Sequence, residues 1–412
     1  MEEKALIINI ATILAKDIAF DQKNNFKCPV PSYPPGKPPP LLQSDDEAFD
    51  FFLRHHVQKS TSAGSSNSKR KYPSEEKQID TRSTKIAKPK DDPTPGRINL
   101  IQDLTVDVFE SNLHLNKNTF QQLYNSIKGL IKPLHTNNTV ISNQTIFSLG
   151  LWKLATDEHF EEISRRFKIP LQACHLIIRS FWGVISDNNE TFIKWPRTQT
   201  AQKLHMTTFQ KNENLQHFRH LFGLVSIKRL DIFLESEDEE TSVILQIICD
   251  GKQRIIDSFV DFATNYSFVE SPIGQSLERD GAGVPRGCYL IGGNNFPLKP
   301  YLIRPFELEC FRDESRFNEL LRKAQAISDS VLHKMMRRFN TLYALEAKDM
   351  SEVRKVLQTI CSLHNMCQEF GDECIPNCWE RSEKCILASK VNENNQGGRK
   401  RRLEVMEEIV SI

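Results

Sequence analysis

VILQIICDGKQRIIDSFVDF, residues Val243 to Phe262, decides the fold of this chain. Two runs rich in branched apolar side chains flank Asp250-Gly251, and Asp-Gly between such runs marks a tight hairpin because Gly accepts a positive φ. Two antiparallel core strands are therefore expected. A third apolar strand is expected in CYLIGGNNFPLKPYLIRPF, Cys288 to Phe306, which runs into Gly-Gly-Asn-Asn and then a Pro-punctuated segment. Such a layout puts a loop at the mouth of a sheet.

A chain of 412 residues has room for two folded units plus linkers. Its Lys+Arg 54 against Asp+Glu 53 leaves a formal charge of +1. The whole molecule thus has no field to steer nucleic acid, and any such affinity must come from local basic patches. Ten cysteines without a secretory signal point to reduced intracellular thiols. The first stretch, MEEKALIINIATILAKDIAF, starts acidic and has Lys16-Asp17 inside its apolar run, so it reads as neither signal peptide nor membrane span. A soluble protein with no membrane contact is expected.

Leu6, Ile10, Leu14 and Ile18 recur every four residues, which predicts an amphipathic helix over residues 1–22. Its apolar face would pack on the chain's own helical domain or on a partner or dimer helix. Residues 23–98 are rich in Pro, Ser and Lys and are read as a disordered linker, because they hold too few large apolar groups to offset the entropy of ordering. Two basic clusters lie there, Lys69-Arg70-Lys71 and the spaced Lys85, Lys88 and Lys90. A third, Arg399-Lys400-Arg401-Arg402, falls in a tail over residues 373–412. Singly such clusters are as often solubilising charge runs, but three together favour nuclear import or phosphate contact, and hence a nuclear location.

Residues 99–215 are expected to form a helical domain. Asn116 can cap a helix carrying Phe120, Leu123, Ile127 and Leu130, and residues 160–185 read as a helix-turn-helix whose connection is Lys168-Ile169-Pro170. On this reading Ile163, Phe167, Ile169, Cys174, Ile177, Ile178 and Phe181 make its core. Gln172, His175 and Arg179 would point outward on the recognition helix, and Arg165, Arg166 and Lys168 would hold phosphates. Any three-helix domain gives a similar pattern.

The run Leu290-Ile291-Gly292-Gly293-Asn294-Asn295-Phe296-Pro297-Leu298-Lys299-Pro300, continuing to Pro305-Phe306, resembles the Leu-Leu-Gly-Asp-Ser-Gly-Tyr-Pro-Leu motif of the PIF/Harbinger class of DDE transposases and the nucleases derived from them. Cys361-Ser362-Leu363-His364-Asn365-Met366-Cys367 is similar to that family's terminal Leu-His-Asn-x-Cys helix. The resemblance spans roughly Phe109 to Cys367. It implies an α/β fold with an RNase H-like mixed sheet over residues 216–372, in which three carboxylates hold two divalent metals for phosphoryl transfer. Such metals lie about 3.5 to 4 Å apart and need several ionised oxygens in one small volume.

Carried over residue by residue, the family's acids are mostly missing. The first falls on Ser226, within Gly223-Leu224-Val225-Ser226, and the family's His site lies at Arg229. Asp231 is an odd offset along the strand, which turns it to the opposite face. A second falls on Phe268, or on Glu270 in a shifted alignment, and a further one falls on Gly293. The last falls on Asp329, counted back from Arg337-Arg338-Phe339. The family's basic segment after the first strand is replaced by Glu235-Ser236-Glu237-Asp238-Glu239-Glu240, which would repel a phosphate backbone. His364, Cys367, Cys374, Cys378 and Cys385 lack a close Cys-x2-Cys pair, so buried or incidental thiols are expected there in place of a zinc site.

The sequence therefore reads as a transposase-derived nuclear protein, associated with DNA or chromatin, non-catalytic, and acting as a binding scaffold. No cofactor is expected, and Mg²⁺ enters only if cleavage is retained through Glu270, Asp329 and a third acid. By analogy with the family, a Myb/SANT-like or other helical nuclear protein is an expected partner. A metal-dependent DNA endonuclease and a protein-protein adaptor without DNA contact are the alternatives.

Overall fold

Short polar caps set the helix starts. Asn116 Oδ1 accepts the Thr119 amide at 2.8 Å, as its sequence position predicts, and Ser142, Thr198, Ser271 and Asp349 cap later helices in the same way. The structure, a computed structural model, describes residues 104–136, 139–156, 158–235, 239–264, 266–372 and 395–410. The expected helix at 1–22, the linker at 23–98 and the clusters Lys69-Arg70-Lys71 and Lys85, Lys88 and Lys90 lie outside the described residues.

The helical segment comprises α1 (Val106–Leu113), α2 (Lys117–Ile127), a small ribbon of β1 (Leu134–Thr136) and β2 (Thr139–Ile141), then α3 (Asn143–Ala155), α4 (Phe160–Phe167), α5 (Leu171–Asp187), α6 (Asn189–Phe192) and α7 (Gln199–Gln210). The sheet begins with β3 (Leu221–Leu234), β4 (Glu239–Cys249) and β5 (Ile255–Phe262). It continues after α8 (Pro272–Asp280) with β6 (Tyr289–Ile291) and β7 (Leu302–Ile303). The long α9 (Arg312–Arg338), β8 (Leu345–Ala347), α10 (Met350–Glu369) and α11 (Gln396–Val410) complete the described chain.

Strand order is β5-β4-β3-β6-β7, with β8 also on β3. The β3-β4 and β4-β5 pairs are antiparallel, whereas β6, β7 and β8 join in parallel sense. This mixed α/β arrangement is consistent with an RNase H-like DDE core. The starting end of β3 pairs with β6 (Leu224 opposite Ile291), and its far end with β8 (Ile232 opposite Leu345). Its side chains alternate between two apolar layers. Leu224, Leu230, Ile232 and Leu234 enter the larger core with α9 and α10, while Val225 enters a smaller one with Phe268, Ile273 and Phe296.

Asp250-Gly251 does turn the chain between β4 and β5, for a different physical reason from the expected one. The positive φ is carried by Gln253 (63°), and Gly251 is needed because an added Cβ would lie 2.4 Å from the Thr208 carbonyl oxygen. Buried Asp250 accepts the Lys252 and Arg254 amides, both at 2.9 Å, and pairs with the Arg254 guanidinium.

The helix resembling Leu-His-Asn-x-Cys, α10, clamps this turn. Asn365 accepts the Ile255 amide and donates to the Ile255 carbonyl, both at 2.7 Å, and His364 Nε2 meets the Gln253 carbonyl at 3.0 Å. A lost partner for a buried amide such as that of Ile255 costs about 1–3 kcal/mol.

Residues of the helical segment and of the sheet segment share one core. Ile177, Ile178, Phe181 and Ile185 of α5 share a single cluster with Val356, Ile360 and Leu363 of α10 and with Leu224 and Ile247 of the sheet. A buried polar join adds to it. Arg338 Nη2 meets Asp372 Oδ1 at 2.9 Å, Asn116 Nδ2 donates to Asp372 Oδ2 at 2.8 Å, and His114 Nδ1 contacts the Arg338 carbonyl at 2.9 Å. The expected tail is likewise partly helix, since Val405 and Ile409 of α11 sit in the same core.

Burial drives the His364 pKa down from 6.5 to about 4, and burial also lowers His114, His175 and His205. These imidazoles take up protons in the unfolded chain before they do in the folded one. Stability is thus fully present above pH 6.5 and declines as pH falls towards 4. Urea denaturation across that window should show a falling midpoint, and His364→Gln should make the pH dependence shallower.

Candidate functional site

Ser226 lies midway along β3 with its side chain turned under α9. Its Oγ donates to Asp329 Oδ1 at 2.6 Å and lies 2.9 Å from Ser328 Oγ, which itself can donate to the Gln325 carbonyl. Ser226 and Ser328 are buried, whereas Asp329 reaches solvent. Two residues remote in sequence thus meet at one hydrogen bond, at the positions that the resemblance assigns to its first and last acids.

Gly293 joins them from the loop after β6. Leu224 sits opposite Ile291, the last residue of β6, in the parallel β3-β6 pair, so the loop that carries Gly293 leaves the sheet next to the part of β3 that carries Ser226. An added Cβ at Gly293 would lie 2.9 Å from Gln325 Nε2, and Gln325 precedes Asp329 by one turn of α9. The loop that carries Gly293 is held by buried Arg304, whose Nη1 donates to the Asn294 carbonyl at 3.1 Å.

Glu270 does not belong to this group. Its neighbours Phe268 and Ile273 pack in the smaller cluster, on the sheet face opposite Ser226, and Glu270 itself is exposed. Asp231 is also exposed and lies 3.8 Å from Arg229.

At this point the donor set is one carboxylate, two hydroxyls, a carboxamide and a glycine. A pair of divalent cations needs several ionised oxygens in one volume, and this set does not fit. Among the described residues, no three His, Cys, Asp or Glu side chains come together as a metal-holding group. Beneath the site, buried Cys249 has its thiol pKa pushed up, by burial first and then by the Asp250 and Asp329 charges.

Residues 233–365 match the family model described as DDE superfamily endonuclease. The chain carries a DDE superfamily endonuclease domain. The match takes in Glu270, Gly293, Asp329 and the α10 motif as far as Asn365, and it begins beyond Ser226. No curated protein and no solved structure matches the chain. The β3 strand, the loop after β6 and α9 meet at one place, where residues 226 and 293 are Ser and Gly.

The helix pair α4-α5 forms where the sequence puts it, with Lys168 left-handed at the turn (φ 52°). Arg165, Lys168 and Gln172 are exposed. Three of the other expected contacts are engaged elsewhere. Arg166 pairs with the Glu158 carboxylate, its Nε at 3.0 Å, and packs over Trp152. His175 stacks on Phe160 with ring centroids 4.0 Å apart. Arg179 Nε donates to Glu352 Oε1 at 2.6 Å, and its Nη2 is 3.7 Å from Glu235. The expected outward face of α5 is therefore partly turned inward, because α5 packs along α10 and brings Arg179 to the first turn of that helix, while His175 is held against Phe160 of α4.

Glu235 in this way becomes a structural counter-ion, and Ser236, Glu237 and Asp238 lie outside the described residues. In the basic cluster of α11, Arg402 is buried over the Phe306 ring at 3.9 Å and donates to the Pro305 carbonyl, while Arg399 and Lys400 are exposed. Buried Cys367 has a thiol pKa pushed up to about 11, and His364 is committed to Gln253. Cys374, Cys378 and Cys385 lie outside the described residues.

Sequence reasoning missed Gln325 and Ser328, the direct neighbours of the site. The Ser328-Asp329-Ser330 run beside an acid position was the available signal.

Two outcomes follow from this geometry. Ser226→Asp places a second carboxylate against Asp329, where two like charges cannot both ionise cheaply. Its melting temperature should fall below the parent's at pH 8, and the gap should narrow at pH 5 as one carboxyl takes a proton. Arg179→Ala should lower stability by about 1–3 kcal/mol, because it strips the partly buried Glu352 of its partner. Arg165→Ala should stay within about 0.5 kcal/mol of the parent, as a surface change. Chemical denaturation of the two variants checks both values.

Proposed function

We propose that this chain is a domesticated member of the Harbinger-type transposase group, a nuclear protein associated with DNA or chromatin in which the DDE domain serves as a binding scaffold without cutting. The observation that carries this reading is the Ser226-Asp329 hydrogen bond. A hydroxyl that donates to the last remaining acid occupies the place where a metal-bridging carboxylate would accept a cation.

Gly293, where the family carries an acid, supports the same reading, and so does the separation of Glu270 onto the other sheet face. Water or a nucleic-acid hydroxyl at such a site gains no metal activation, and Asp329 alone supplies one general-base oxygen. DNA association is supported by exposed Arg165, Lys168 and Gln172 on the α4-α5 pair. The nuclear location and a helical partner of Myb/SANT-like type come from the basic clusters and the family analogy alone.

A supercoiled-plasmid nicking assay with Mg²⁺ or Mn²⁺ tests the scaffold reading. No nicking above buffer is the expected result. Metal-dependent nicking that disappears with Asp329→Ala would end this reading in favour of a nuclease.

A further inference from the structure

Segments that carry basic side chains, among them Lys400 and Arg401 of the α11 cluster, meet around the turn from Gly281 to Gly287. Gly281, Gly283 and Gly287 all adopt positive φ (73°, 68° and 86°), which folds the segment back on itself. Three other parts of the chain are pinned to this turn by hydrogen bonds to its backbone or to the strand that follows it. Trp195 Nε1 donates to the Ala282 carbonyl at 2.9 Å, and Gln202 Nε2 donates to both the Gly283 and Arg197 carbonyls. Arg401 Nη2 of α11 donates to the Gly287 carbonyl at 2.8 Å and its guanidinium lies over the Tyr289 ring. The Tyr289 amide in turn donates to the His220 carbonyl at 3.0 Å.

Each pinned part brings an exposed cation beside its anchor. Arg197 and Lys203 flank Gln202, Arg219 precedes His220, Arg286 precedes Gly287, and Lys400 precedes Arg401. None of these five pairs with an acid among the described residues. The acids nearest in sequence are occupied. Glu278 binds Lys299 and the Tyr301 hydroxyl, and Asp280 accepts the Ala282 amide and meets Arg279. Arg401 itself is matched by Glu404 and Glu408, so it serves as an anchor and leaves the free charge to its neighbours.

Segments far apart in sequence, each with an exposed cation, are thus held at one turn. A single phosphate or nucleotide would call for an enclosed site, whereas separate exposed cations suit a repeating polyanion.

We infer that this turn and the segments pinned to it form a contact surface for the phosphate backbone of DNA, distinct from the α4-α5 helix pair. The inference rests on the DNA-associated reading above and locates the contact within it. Binding here is insensitive to sequence, because no side chain in the set is placed to read base edges.

Fluorescence anisotropy of a labelled random-sequence DNA duplex, titrated with the full chain at several salt concentrations, tests this. Arg286→Ala with Lys400→Ala should weaken binding by roughly tenfold at low salt and flatten the slope of log K against log salt by about two. Both residues are exposed, so an unchanged melting curve should accompany the loss. Arg165→Ala with Lys168→Ala should affect binding less. If the helix-pair variant loses binding and the Arg286/Lys400 variant keeps it, the surface assigned here is wrong and DNA association stands. If the parent chain shifts no duplex at all, or takes up anionic vesicles instead, both readings fall.

Discussion

The pairing of β3 on both edges is the constraint from which the rest of the structure follows. Its whole length beyond Gly223 hydrogen-bonds to β4, and its other edge is divided between β6 and β8. A strand so held must alternate its side chains into two apolar layers, and it has no freedom to slip by one residue without exposing a full set of them. That rigidity fixes Ser226 under α9, and the end of β6 beside β3 delivers the loop with Gly293 to Gln325 of the same helix. The site is therefore a consequence of sheet geometry.

The same packing shows which residues of this region are most constrained. Leu290, Ile291, Leu363 and Cys361 are buried residues of the core, and a change at any of them would be felt in packing. Ser226 and Gly293 have no such role. The Ser226 hydroxyl finds a partner in Asp329, and the space beside Gly293 is taken by the flexible end of Gln325.

Much of this was legible in the sequence. The Asp250-Gly251 hairpin, the β6 strand with its Gly-Gly-Asn-Asn loop, and the α4-α5 pair all declare themselves by local signals, and the odd offset of Asp231 placed it on the outer face correctly. What could not be read is what depends on tertiary contact. The reason for Gly251 is the approach of Thr208, more than forty positions earlier in the chain. His175 and Arg179 have the periodicity of an outward face, yet α10, distant in sequence, supplies the Glu352 that turns Arg179 inward. Arg402 sits in a run that looks like a solvated tail, and only the position of Phe306 shows it to be packed.

The buried join of His114, Asn116, Arg338 and Asp372 has a consequence for how this protein can be taken apart. His114 and Asn116 lie in the link between α1 and α2, Arg338 ends α9, Asp372 follows α10, and the Arg338-Asp372 ion pair is buried where they meet. A fragment that starts at the sheet would leave a carboxylate short of a donor and strip an apolar flank from α10. The DDE fold is thus not a portable module in this chain, and any shuffling event that separated it from its helical preface would have had to rebuild a wall as well as a hinge.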